Sequence, residues 1–169
     1  HTSNSDFWIT IACFLVMRLP MRFLIKNDWY RFPFKGMMRF LGAVPVDRSR
    51  NTGLTQQMAE AFQQRDTLIL VVAPEGTRGK TGPWKTGFYR MAQAGQVPML
   101  LAYLDYGKKE AGIGPILQPG GVQQEDFKVI REFYSQITPK YPDQYTVNLY
   151  TDEERVARGE DPKTGKAKS

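Results

Sequence analysis

The sequence predicts an α/β fold, a mixed, mostly parallel central sheet flanked by helices. Three observations carry that prediction. Short apolar runs rich in branched residues read as buried strands, amphipathic stretches read as helices, and the two alternate along the chain. A chain of 169 residues can bury a full core. Its 41% hydrophobic content is that of a globular protein and excludes a disordered one.

Residues 6–18 read as a helix, with Asp6 as cap or first-turn acid and Arg18 at the end. Residues 22–26 form a strand candidate. Residues 34–41 read as a helix with Pro33 near its start and Gly42 just after it. Residues 42–47 are extended, and 55–65 form an amphipathic helix. The run 68–73 fits a strand buried on both faces. Residues 87–94 are helical and stop at Gly95, and 97–103 read as another buried strand. Residues 125–136 form a later helix, and 145–150 a last strand. The folded domain therefore spans 1–150. Residues 151–169 hold five acids and five bases with no apolar period, the pattern of a disordered tail.

The net charge is +6, and most of the excess lies in the first fifty residues. There Arg18, Arg22, Lys26, Arg31, Lys35, Arg39, Arg48 and Arg50 face only Asp6, Asp28 and Asp47. Such an excess suits an anionic partner, whether nucleic acid, an acidic membrane or a phosphorylated substrate; it also suits a solvated surface. The single cysteine, Cys13, excludes an intrachain disulfide and a cysteine metal site, and it reads as a small buried hydrophobe. The longest apolar run, residues 7–17, is shorter than the roughly 20 residues a membrane span needs, and it lacks signal-peptide flanks. The chain begins on His1 rather than Met, as a fragment would, so an anchor is expected to precede it.

Three short segments carry the chemistry. His1 is the only histidine, and the only side chain whose unperturbed pKa suits proton transfer near neutrality. Asp6 follows five residues later. On a straight helix that offset separates two side chains by roughly 140°, so they meet only if His1 lies in a turn and Asp6 opens the helix. Asp6 would then hold one ring nitrogen and leave the other to take a proton. A terminal histidine and a capping aspartate explain the same residues without chemistry. The second segment, Pro74-Glu75-Gly76-Thr77-Arg78, follows a buried strand, where α/β sheets bind ligands. Gly76 permits close backbone approach and Arg78 offers a planar fork for phosphate, with Lys80 and Lys85 close behind. An ordinary strand exit accounts for the glycine but not for the cations. The third, Gly42 to Arg48, ends in Asp47-Arg48; Arg48 could reach the same phosphate or pair with Asp47.

In this order the segments resemble the phospholipid and glycerol acyltransferase family, which includes the lysophosphatidic acid (1-acyl-glycerol-3-phosphate) acyltransferases. His1 to Asp6 matches its H-x4-D block, Gly42 to Arg48 its G-x5-R block, and Pro74 to Arg78 its P-E-G-T-R block. Val97-Pro98-Met99-Leu100-Leu101 is similar to its hydrophobic V-P stretch. The resemblance covers about residues 1–118. It implies a glycerol-3-phosphate acyltransferase-like fold. It also implies that His1 is the general base and Asp6 its orienting acid. Arg48 and Arg78 would hold the acceptor phosphate, with Glu75, Gly76 and Thr77 shaping the pocket. The acyl donor would be acyl-CoA or acyl-ACP, the acceptor a lysophospholipid, and the oxyanion donor a backbone N–H near the site. No metal and no bound cofactor are implied. Two departures stand out. The strand and amphipathic helical pair usual before the histidine are absent, and Leu101 or Ala102 stands where the V-P block usually has a second proline.

Residues 18–41 interleave cations with Phe23, Trp29, Tyr30, Phe32, Phe34, Met37, Met38 and Phe40. Arg31, Lys35 and Arg39 recur every four residues, so those on the helix share a face. The stretch suits the cytoplasmic face of an anionic membrane, where a cation near the surface contributes about 1 kcal/mol. The aromatics serve equally as core and the charges as solvated surface. A basic nucleic-acid-binding domain would explain the charge, but it leaves the strand ending in Glu75-Gly76-Thr77-Arg78 unexplained and no such motif is visible. A lipid-binding module without catalysis is the third reading, and it would tolerate His1→Ala.

Overall fold

A computed structural model describes residues 3–26, 35–40, 42–46, 53–75 and 83–161. The elements in chain order are α1 (Asn4–Val16), β1 (Met21–Lys26), α2 (Lys35–Phe40), β2 (Ala43–Val46), α3 (Leu54–Gln63), β3 (Ile69–Val71), α4 (Gly87–Gly95), β4 (Met99–Asp105), β5 (Glu110–Leu117), α5 (Gln123–Ser135) and α6 (Asp152–Ala157). The chain divides into two compact units. One comprises Trp8–Val72 and Gly87–Gln96, the other His1–Phe7, Ala73–Thr86 and Val97–Ser169.

The first of these, the parallel unit, is built on a three-stranded sheet of order β2-β1-β3. Phe23 stands opposite Ala43 on one side, and Met21 opposite Ile69 on the other, both pairings parallel. Parallel neighbours need crossovers, and α2 and α3 lie in the two connections. Gly42 makes the return to β2 possible. Its φ is +87°, and a Cβ there would collide with the Met21 carbonyl oxygen. α3 buries Met58 and Ala59, α4 buries Tyr89, Met91 and Ala92, and the two helices pack on each other. A Cβ at Gly95 would come 2.8 Å from the Phe62 ring, so the glycine that ends α4 also admits that ring.

α1 ends in a paired C-terminal cap. Leu19 N–H donates to the Phe14 carbonyl at 3.0 Å and Arg18 N–H to that of Leu15 at 3.1 Å. Arg18 takes the left-handed position that glycine usually fills, with φ 54°. Along the helix Ile11 and Phe14 are buried, Cys13 is half-buried rather than fully enclosed, and Trp8, Leu15 and Val16 are exposed.

The second, the hairpin unit, is built on the antiparallel pair β4-β5, with Met99 opposite Leu117 and Asp105 opposite Glu110. Phe127 and Ile130 on α5 and Leu149 after it are almost fully enclosed. Trp84 is held from two directions: its backbone N–H donates to the Asn148 carbonyl at 2.8 Å and its indole N–H to that of Thr146 at 3.0 Å. The Tyr134 hydroxyl donates to the Ala102 carbonyl at 2.8 Å, and Tyr145 to the Tyr134 carbonyl at 3.1 Å.

Several expectations change. In place of one mostly parallel central sheet, the described residues form two small sheets, one parallel and one antiparallel. The strand expected at 68–73 is the three-residue β3, half-buried because it pairs on one side only among the described residues. The strand expected at 97–103 runs to Asp105 and alternates. Met99 and Leu101 are buried while Leu100 and Ala102 are exposed, as in a hairpin with one wet face. β5 was not expected, because Gly112, Gly114 and Pro115 mark a loop by propensity. The glycines are instead where the Tyr103 and Phe133 rings lie against the strand, edge to face at 5.7 Å. Residues 145–150 are not a strand: their carbonyls serve Trp84 rather than a ladder.

The expected disordered tail carries α6 instead, with residues 162–169 outside the described set. A reciprocal cap starts the helix: Thr151 Oγ1 accepts from Glu154 N–H, and Glu154 accepts from Thr151 N–H. Four of the tail's charged residues take part in ion pairs. Arg131 meets Glu154 at 3.1 Å, and Glu160 takes Arg155 at 3.2 Å and Arg158 at 3.0 Å. Arg155 is only 2% exposed and also donates to the Asn148 carbonyl.

Candidate active site

The H-x4-D segment enters the structure at Ser3, which opens α1. Ser5 N–H donates to Ser3 Oγ at 3.1 Å, and Ser3 N–H donates to Asp6 Oδ2 at 3.0 Å. This reciprocal cap is a local consequence of Ser-x-x-Asp ahead of an apolar run. It puts the Asp6 carboxylate beside the helix N-terminus, where a negative charge is stabilised. Asp6 is 7% exposed.

The second Asp6 oxygen is reached from the far side of the sequence. The Tyr106 hydroxyl donates to Asp6 Oδ1 at 2.7 Å, across 100 positions of chain. Tyr106 follows the last residue of β4, and its backbone N–H donates to the Thr138 carbonyl at 2.8 Å. Burial, then the hydrogen bond and charge of Asp6, then Tyr141, push its phenol up to about 12. Two residues past Thr138, Lys140 donates from Nζ to Ser5 Oγ at 3.0 Å and lies 5.6 Å from the Tyr141 ring centroid. The first turn of α1 is thus held by β4's end and by the segment after α5, all within the hairpin unit.

The P-E-G-T-R segment is described as far as Glu75. Lys85 N–H donates to the Pro74 carbonyl at 2.9 Å, which brings Lys85 back against the start of that segment and leaves its side chain exposed. Glu75 is half-buried. Tyr134 and Tyr145 both have their phenols pushed well above the ordinary tyrosine range, by burial first and the Glu75 charge second. The Glu75 charge is therefore felt by two half-buried phenols of the hairpin unit.

Of the expected site residues, Asp6, Glu75 and Lys85 belong to the hairpin unit. His1, Arg48, Gly76, Thr77, Arg78 and Lys80 lie outside the described residues, as does Arg31. Lys35 is exposed on α2, and Arg39 lies on the same helix. Tyr106 and Lys140 were not expected, because nothing at 106 or 140 marks a neighbour of residue 5 or 6 until the chain is folded.

A family model described as Acyltransferase matches residues 1–103, more than half of the chain. The chain belongs to the acyltransferase family. This is the family of the lysophosphatidic acid and glycerolipid acyltransferases, and membership carries a general role in acyl transfer. The match takes in all four blocks quoted above and ends inside β4 of this acyltransferase, three residues short of Tyr106. Searches of curated proteins and of solved structures found no match. Among the described residues, no helix of the acyltransferase is long and apolar enough to cross a membrane.

Proposed function

We propose that this acyltransferase moves a fatty acyl group from acyl-CoA or acyl-ACP to the free hydroxyl of 1-acyl-glycerol-3-phosphate, giving phosphatidic acid in phospholipid synthesis. The observation that carries the reading is the Asp6 carboxylate, held at both oxygens in an H-x4-D segment of an acyltransferase domain. An ionised carboxylate offers about four acceptor sites, and in this reading one of them takes a ring N–H of His1. His1 takes the hydroxyl proton as the acceptor oxygen attacks the thioester carbonyl. The tetrahedral oxyanion collapses, the C–S bond breaks, and the imidazolium returns the proton to the leaving thiolate. Arg48 and Arg78 hold the acceptor phosphate, with Lys80 and Lys85 adding positive charge, and Glu75, Gly76 and Thr77 form the wall of that pocket.

The acceptor is a membrane lipid, and the enzyme works at the cytoplasmic face of an anionic membrane. Arg31, Lys35 and Arg39 supply the cationic contact. The exposed Trp8, Leu15, Val16, Met37 and Phe40 support this placement.

The test is acyl transfer from a labelled acyl thioester to lysophosphatidate on anionic vesicles. His1→Ala is expected to lower the rate by about a thousandfold. Equal rates for parent and variant would remove His1 as the base. Transfer confined to glycerol 3-phosphate or another lysophospholipid would keep the mechanism and change the acceptor.

A further inference from the structure

We infer that Tyr106 is a positioning residue for acyl transfer, its hydroxyl fixing the orientation in which the Asp6 carboxylate takes up the His1 ring. The inference rests on the reading of His1 and Asp6 given above. It adds a residue beyond the matched segment, from the end of β4.

The geometry carries it. A carboxylate bonded at one oxygen alone still swings about its terminal torsion, which is broad and roughly two-fold. Ser3 N–H anchors Oδ2 from the residue just before α1, and Tyr106 anchors Oδ1 from the residue just after β4, so the carboxylate plane is set by two bonds from different directions. Tyr106 is itself fixed through its backbone bond to Thr138. Lys140, two residues on, ties the same segment to Ser5.

The chemistry of the donor suits the task. A phenol orients the carboxylate without cancelling its charge, as a lysine or arginine would, so Asp6 stays able to stabilise an imidazolium. Its bond to Asp6 and the burial around it keep Tyr106 protonated throughout the pH range of catalysis. Among the described residues, the other titratable groups at this cluster are Tyr141, which acts on Tyr106 electrostatically, and Lys140.

The experiment compares parent, Tyr106→Phe, Asp6→Asn, the double variant and His1→Ala in the vesicle assay across pH. Phenylalanine keeps the ring and deletes only the hydroxyl. Tyr106→Phe is expected to lower kcat about tenfold with the acceptor KM unchanged, the scale of a lost hydrogen bond to a charged group. The acid limb of kcat moves up by roughly half a unit, because a carboxylate without the phenol stabilises imidazolium more strongly. In the Asp6→Asn background the same substitution adds little, as expected of residues acting through one another.

Parental kcat and limb in Tyr106→Phe, with His1→Ala inactive, would overturn the role of Tyr106 and leave the function standing. A lower kcat accompanied by lost stability and an unmoved limb would make Tyr106 structural only. Full activity in His1→Ala would remove the function and the positioning role together.

Discussion

Among the described residues, the bonds that stand out in the two compact units differ in chemistry. The parallel unit relies on backbone pairing across β2-β1-β3 and on apolar helix faces such as Met58, Ala59, Met91 and Ala92. The hairpin unit adds polar bonds from buried or half-buried side chains: Trp84 to Thr146, Tyr134 to Ala102, Arg131 to Leu149, and Arg155 to Asn148 and Glu160. Apolar packing tolerates substitution of similar volume, whereas a buried polar group that loses its partner incurs the full desolvation penalty. The difference locates the candidate chemistry. Asp6 sits in the unit whose side chains are fixed by directional bonds, and the base-orienting role proposed for it needs that fixing.

The largest effect should come from the polar unit. Arg155→Ala strips partners from Glu160 and the Asn148 carbonyl and is expected to destabilise by about 4 kcal/mol, measured by urea unfolding. A value under about 1 kcal/mol would mean that water replaces the guanidinium and that the network contributes little. In the parallel unit the sensitive point is backbone. Gly42→Ala forces a left-handed residue against the Met21 carbonyl, and about 2 kcal/mol of stability should be lost. A neutral result there would show that the turn into β2 relaxes freely. Arg18→Gly probes the same unit in the opposite direction. Glycine removes the left-handed strain at the end of α1, and stability should rise by about 1 kcal/mol unless the Arg18 side chain supplies contacts that offset it.

Alkaline pH separates the units without mutation. Tyr106, Tyr134 and Tyr145, all in the hairpin unit, hold their protons above the usual 10.0, Tyr106 to about 12. The unfolded chain ionises first. Their contribution is therefore fully present below about pH 10 and is lost as pH rises through the folded values. The tyrosinate absorbance of these three, isolated by difference from their Phe variants, should appear together with unfolding rather than ahead of it. Three phenols titrating near 10 in the folded protein would contradict the burial assigned to them.

Most helices were legible in the sequence, because each carries its signal locally. Asp6 marks the first turn of α1, which begins two residues earlier than expected, Gly42 follows α2, and α4 ends on Gly95. The misses share a cause. β5 reads as loop until Tyr103 and Phe133 are seen to occupy the space its glycines leave, and α6 reads as a solvated charge run until Arg155 is seen to be enclosed. Residues 145–150 have strand-like composition, yet their carbonyls are taken by Trp84.

By itself the sequence determined the family, through four blocks whose residue types and spacing are properties of the chain, and it placed Asp6 at the start of a helix as its cap or first-turn acid. Only the tertiary structure decided what holds that carboxylate. Tyr106 and Lys140 lie 100 and 135 positions from the residues they bond, and no periodicity or local propensity encodes a pairing at that range. Such bonds form only after β4 and α5 have brought distant side chains together, so they are a product of packing rather than of pattern.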